Sequence, residues 1–373
     1  MVTTRRASLD SATMTATLMR CAPWLLAAGL SGCNLAPGSQ SAPRSASGTL
    51  LVLNKTDNSV SLIDAMTGDR IDDVPTGDGP HEVAVSPDGA VAVVTDYGRA
   101  DAPGHTLTVI DLAASKVSDT IDLGPHGRPH GVQFLEDGRT IVVTAEASGS
   151  VLLVDVVGSR VLRAMPTLQA VSHMVVLDPD GSRAYVANIG SGSVSVLDLD
   201  RAYVVAQIPT AAGAEGLDLS PDGKELWVAN RTADTLSVID THALAEVDTI
   251  RCGTGPIRIK FTPDGRRTLV SNAGSGDIAV FDVGTRREIG RIPLQYSALE
   301  STDRRLLDSD GKLDAPVPVG LLVSRDGTKA WVANTNADLV TVLDLGHLEV
   351  AGRIKAGREP DGLGWTPLTP MGM

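Results

Sequence analysis

From residue 49 onward the chain repeats itself. A six-residue apolar segment recurs as "TLLVLN" (49 to 54), "VAVVTD" (91 to 96), "TIVVTA" (140 to 145), "RAYVAN" (183 to 188), "ELWVAN" (225 to 230), "RTLVSN" (267 to 272) and "KAWVAN" (329 to 334). Seven copies, mostly 42 or 43 residues apart, restrict the chain to a ring or array of one repeated supersecondary unit. Each copy leads into "SVSVLD" or a variant with period-two alternation. A further strand such as "VVAQIPT" follows, then a Gly/Pro loop and a "VAVSPDG" strand. No segment shows helical periodicity, and an apolar content of 42% with only 3% aromatics points to a Val, Leu, Ile and Ala core, a mix that favours strands.

In the order "VAVSPDG", "AYVAN", "SVSVLD", "VVAQIPT", the strands are called A, B, C and D. The A-to-B turn carries Pro-Asp-Gly at 87–89, 179–181, 221–223 and 263–265. Pro presets φ for the first corner, Asp caps its own turn and Gly takes the left-handed position. The first unit begins at B, whereas the last strand, "DGLGWTP" (361 to 367), is an A with nothing after it. That phase shift lets the final strand complete the first sheet and remove the open edges. The sequence therefore predicts an all-β fold over 49–368, a single seven-bladed propeller of four-stranded antiparallel blades with three-plus-one closure and a short tail at 369–373.

The repeats "AYVANIGSGSVSVLD" (184 to 198) and "LWVANRTADTLSVID" (226 to 240), with their "SPDG" turns, resemble the YVTN β-propeller family. The resemblance implies the fold. Similar propellers range from binding proteins to lactonases and haem d1 or copper proteins, so function has to be argued from the site. Tyr185, Trp227 and Trp331 share one place in strand B and are expected to pack between blades.

Residues 1–32 read as a targeting segment: Arg20 precedes "APWLLAAGL" (22 to 30), an apolar run too short to span a bilayer. It ends in "LSGC", Leu30 to Cys33, which resembles the lipobox of bacterial lipoproteins and implies cleavage before Cys33 and acylation of its sulfur. An ordinary cleaved signal is the alternative. Residues 33–48, "NLAPGSQSAPRSASG" after the cysteine, are expected to be a flexible tether. The expectation is an exported protein, periplasmic or on the cell surface, held to a membrane through Cys33. Only Cys33 and Cys252 would remain, so no disulfide framework supports the fold. The net charge of -13 argues against nucleic-acid partners.

Function is expected on one face. Antiparallel strands send the D-to-A and B-to-C loops to the same end, and these loops hold five of the seven histidines and the two longest insertions, 97–106 and 295–317. Counting six residues back from the Pro of each A-to-B turn gives a ring of His81, His130, His173, Glu215, Ile257, Val319 and Asp361, with Glu82 and Arg258 one place further on. Closure brings Asp361 beside His81. Three readings follow. The imidazoles and a carboxylate bind a transition metal such as Cu, Zn or Fe. Alternatively, His130 and Glu215 serve as general base and acid on a small molecule, as in the propeller lactonases that resemble this chain and carry a "PH" pair at the start of strand A. Finally, the histidines and carboxylates are solvated polar groups around a water-filled channel, a pattern that Ile257 and Val319 break. Binding or scaffolding of a small molecule, metal or protein partner is the leading reading. An oxidoreductase using a metal or haem d1, or a lactonase-like hydrolase, is the alternative, although no basic cluster for an anionic substrate accompanies the histidines. "DSDGKLD" (308 to 314) lacks the full carboxylate set of a calcium loop, and Cys252 reads as a small core filler.

Overall fold

The computed structural model describes residues 48–294 and 316–369. The targeting segment, Cys33, most of the tether, the core of the 295–317 insertion with its "DSDGKLD" stretch, and nearly all of the tail lie outside the described residues.

Seven four-stranded antiparallel sheets form the propeller. Blade 1 pairs Pro360–Thr366 as strand A with Thr49–Asn54, Ser59–Asp64 and Arg70–Pro75 as B, C and D. Blades 2 to 7 open with strands A at Pro80–Val85, Pro129–Phe134, Ser172–Leu177, Ala214–Leu219, Pro256–Phe261 and Pro318–Val323. The expected closure is thus the observed one. At the A-to-B turn of blade 2, Gly89 has φ of +77° and its N–H bonds to the Ser86 carbonyl. Asp88 accepts from the Ser86 hydroxyl and the Ala90 N–H, which is the local chemistry the Pro-Asp-Gly spelling predicts.

The core lies between the blades, where alternate residues of neighbouring sheets interlock. Leu51, Leu53, Val60 and Leu62 of blade 1 pack on Ala92, Val94, Ile110 and Leu112 of blade 2, all fully buried. Trp331 packs with Leu50, Val52 and Ile63 across the junction of blades 7 and 1, and Trp227 and Tyr185 lie in equivalent clusters, so the large side chains of strand B serve inter-blade packing as expected. Cys252 is a free thiol on Asn272, its pKa pushed up to about 12 by burial, which agrees with an inert filler.

Every strand A carries a bulge at its start. In blade 2, Pro80 pairs with Asp96 and Val83 with Val94, so strand A spends one residue more than strand B over that interval. The same shift occurs in the other six blades. A bulge re-aims two consecutive side chains. It therefore turns toward the axis both the ring residue and its successor, such as His81 with Glu82. Strand-B hydroxyls take up displaced N–H groups, with Thr95 accepting from Glu82, Thr144 from Gly131 and Ser271 from Arg258.

Candidate functional site

The bulges gather the ring residues around the axis. The His81 and His130 ring centroids are 4.2 Å apart and those of His130 and His173 3.6 Å. This closeness has a backbone cause. A Cβ on Gly131 would stand 2.8 Å from the His173 carbonyl oxygen, and one on Gly362 would stand 2.5 Å from that of His81. Glycine after the ring residue lets neighbouring innermost strands approach until the side chains touch.

The expectation of solvated groups around an open channel is overturned for this arc. His130 is 0% exposed, His173, Glu215 and Asp361 are buried, and His81 is nearly so. Neither ring nitrogen of His130 has a hydrogen-bond partner, nor does Nε2 of His173. Burial depresses the pKa of His81 and holds that of His130 far below the usual imidazole value, with the neighbouring imidazoles adding to the effect on His130. His130 is neutral near pH 7.

A second ring, which the count along strand A does not reveal, surrounds the first. The residue after each strand B donates its N–H to the carbonyl of the residue before strand A of the same blade. Lys55 thus bonds to Glu359, Tyr97 to Gly79, Glu146 to Arg128 and Arg231 to Gly213, at 2.8 to 3.1 Å. Lys55 Nζ lies 3.0 Å from His81 Nε2 and 3.7 Å from Asp361. Glu146 is hydrogen-bonded to His173 Nδ1 through one oxygen and accepts from the Tyr97 hydroxyl at 2.6 Å through the other. Tyr97 stands edge-on to His81 and His130, at 5.0 and 5.6 Å between centroids. Arg231 pairs with Glu215 at 3.2 Å. A register count started from the end of "AYVAN" would have found all four.

Charge is closely balanced here. Asp361 lies 3.0 Å from His81 Nδ1. Burial alone would raise its pKa, yet His81, Lys55 and Arg258 hold it far below the carboxylate norm. Burial acts the same way on Glu146 and is outweighed by the hydrogen bonds from His173 and Tyr97. Arg258 bonds to Glu82 at 2.5 Å and lies 3.8 Å from Glu215. Ile257 and Val319 do not join this chemistry; they pack with Ala273 and Val317 into an apolar arc. Among the described residues, two groups have ligating atoms within 4.8 Å of one another, His81 with Glu82 and His130, and His130 with Glu146 and His173. His105 and His347 are exposed at the periphery, and His126 bonds to Ser148.

Below the cluster a cavity of about 820 Å³ follows strands A toward the A-to-B turns. Glu82 and Arg258 line its inner end, Met174 and Leu322 its wall, and Arg325 and Trp365 its turn side; no histidine lines it.

The model of the seven-bladed β-propeller lactonase family matches residues 54–293. The chain belongs to that family. Over 211 residues it is 33% identical to hydrazine synthase subunit beta of Kuenenia stuttgartiensis, a match covering 44% of this chain and 54% of that protein. The chain thus spans about half the length of the curated relative it matches. Among solved structures, Kuenenia stuttgartiensis hydrazine synthase superposes with a TM-score of 0.63 at 21% identity, over 76% of this chain and 88% of that one. A functionally unknown protein from Desulfotomaculum acetoxidans DSM 771 gives 0.70 at 14% identity, over 87% and 100%. At these identities the two structures share this family member's fold and nothing further is drawn from them.

Proposed function

We propose that this lactonase-family propeller is an exported, lipid-anchored binding module whose axial imidazole cluster holds one transition-metal ion. The observation that carries the reading is His130, fully buried between two other imidazoles with both nitrogens unpartnered. Each buried polar atom left without a partner costs about 1–3 kcal/mol. A neutral, desolvated imidazole is also the form that ligates copper, zinc or iron. The carboxylates support this arrangement, since Glu146 holds Nδ1 of His173 and leaves Nε2 to face the centre, as outer carboxylates do for metal-bound histidines. Nitrogens on one ion stand at most about 4 Å apart, given bonds of about 2 Å, so small ring rotations bring His130 with either His81 or His173, each pair now spaced at 4.8 Å or less, to a ligating distance.

Elemental analysis of the purified mature domain, grown with copper, zinc and iron supplied, is expected to give about one metal per chain, and none after His130→Ala. A metal content near zero in the unmodified protein overturns the reading. The anchor rests on Leu30–Cys33. Cys33→Ser is expected to move the protein from the membrane to the soluble fraction, and retention at the membrane would refute acylation there.

A second reading is favoured by the Glu146–His173 pair, in which a carboxylate orients an imidazole whose other nitrogen makes no hydrogen bond and lies 3.9 Å from Glu215. That is the geometry of a general base, and it shifts the candidate base from His130, which has no orienting partner, to His173. Chelator-resistant lactone hydrolysis lost in His173→Ala and Glu146→Gln would favour hydrolysis over metal binding.

A further inference from the structure

The cations beside the cluster are almost all neutralised. Lys55 faces Asp361 at 3.7 Å, Arg99 faces Asp78 at 3.1 Å, Arg231 faces Glu215 at 3.2 Å, and Arg258 and Arg358 face Glu82 and Asp57 at 2.5 Å. Arg128 differs. Its guanidinium lies over the Tyr97 ring, 5.0 Å from the centroid, and its Nη2 donates to the Arg99 and Ala100 carbonyls at 3.1 Å each. No carboxylate of the described residues pairs with it. The side chain is half-buried and held from two directions, so a full positive charge stands in a fixed place. Only the Tyr97 ring separates it from His81 and His130.

The backbone helps to fix the place of Arg128. The residue before strand A is left-handed in all seven blades. Gly79, Gly213 and Gly255 fill the corner in blades 2, 5 and 6, whereas Glu359, Arg128, Val171 and Val317 fill it in blades 1, 3, 4 and 7 with φ of +42° to +57°. In blade 3 the left-handed corner sets the direction in which the Arg128 side chain leaves the backbone.

We propose that Arg128 is the anion-recognising residue of a ligand site beside the imidazole cluster, and that the ligand is a small carboxylate. A guanidinium presents a planar fork that matches a carboxylate. With Nη2 committed to carbonyls, the remaining N–H groups are the ones to receive it. A carboxylate bound there, within one ring's width of the cluster, puts the rest of a small ligand against the metal; that placement rests on the reading above, whereas the anion contact itself does not.

The test uses malonate as probe, by calorimetry on the mature protein, metal-free and after cobalt(II) loading. Arg128→Gln and Arg128→Gly are compared with the unmodified chain. The glycine variant relieves the left-handed corner, so it keeps the fold if the glutamine variant does not. Malonate is expected to bind the unmodified protein at least about tenfold more tightly than either variant, while cobalt affinity stays the same in all three. The dimethyl ester, which has no carboxylate, is expected to show no difference among the three proteins. Equal malonate affinity in all three proteins, or no malonate binding by the unmodified chain, overturns the anion site. If cobalt does not bind but malonate still depends on Arg128, the metal reading fails and the anion site stands.

Discussion

The axial ring is two arcs built from the same repeat positions. In blades 1 to 5 it carries Asp361, His81, His130, His173 and Glu215, and strand-B ends add Lys55, Tyr97, Glu146 and Arg231. In blades 6 and 7 it carries Ile257 and Val319, packed on Ala273 and Val317. Both arcs have the same bulge and the same loop hydrogen bond. The backbone therefore does not decide which arc performs chemistry. Residues that keep the period build the ring, and those that break its polarity mark where it works.

The largest expected contrast comes from truncating one member of each arc. His130→Ala is expected to abolish metal binding with the fold intact, whereas Ile257→Ala is expected to leave metal content unchanged and cost about 2 kcal/mol or more of stability in urea melts. Loss of metal in both variants would erase the distinction.

A second contrast sets blade 2 against its neighbours. Asp96 occupies the place where five blades have asparagine. In blade 1, Asn54 donates to the Ser59 and Ser61 hydroxyls; in blade 2, Asp96 accepts from Thr106, Thr108 and the Gly77 N–H. Burial outweighs those bonds and raises its pKa to about 6. The folded state thus holds this proton more tightly than the unfolded one, so stability is full below pH 4 and falls as pH rises through 6. Asp96→Asn is expected to raise stability at pH 7.5 by up to about 3 kcal/mol and to flatten the pH dependence between 4 and 6. An unchanged profile would show that the pocket tolerates the charge.

Glu146→Gln is expected to weaken metal binding about 10- to 100-fold without removing it, a smaller effect than loss of His130; an equal effect would make Glu146 a direct ligand. The smallest contrast is between two tryptophans. Trp227 Nε1 donates to Glu225, while Trp331, at the same repeat position, has Lys329 there and a buried, unpartnered Nε1. Lys329→Glu is expected to add about 1 kcal/mol by supplying the missing acceptor, as thermal melting would report.

The fold was legible because it is periodic: the strand spellings, the Pro-Asp-Gly turns and the final unpaired strand A each state one geometric requirement. The inner ring was legible for the same reason, since counting from a fixed turn reaches His81, His130, His173, Glu215 and Asp361. Three things were not. Burial of the histidines depends on the close approach at Gly131 and Gly362, which no side-chain count reveals. The partners Lys55, Tyr97 and Glu146 sit on a different strand, and only the loop hydrogen bonds of the folded chain bring them in. Arg128 owes its place to a backbone dihedral that its letter does not encode, which is why Arg258 was foreseen beside the cluster and Arg128 was not.

The pairing of Thr49–Asn54 with Pro360–Thr366 has one further consequence. Asp361 and His81 are neighbours in space and almost three hundred residues apart along the chain, so an emerging polypeptide has its imidazoles long before their acidic companion arrives. The acidic member of the ring is thus the last to be supplied along the chain, and it joins the imidazoles only when Pro360–Thr366 closes the first blade.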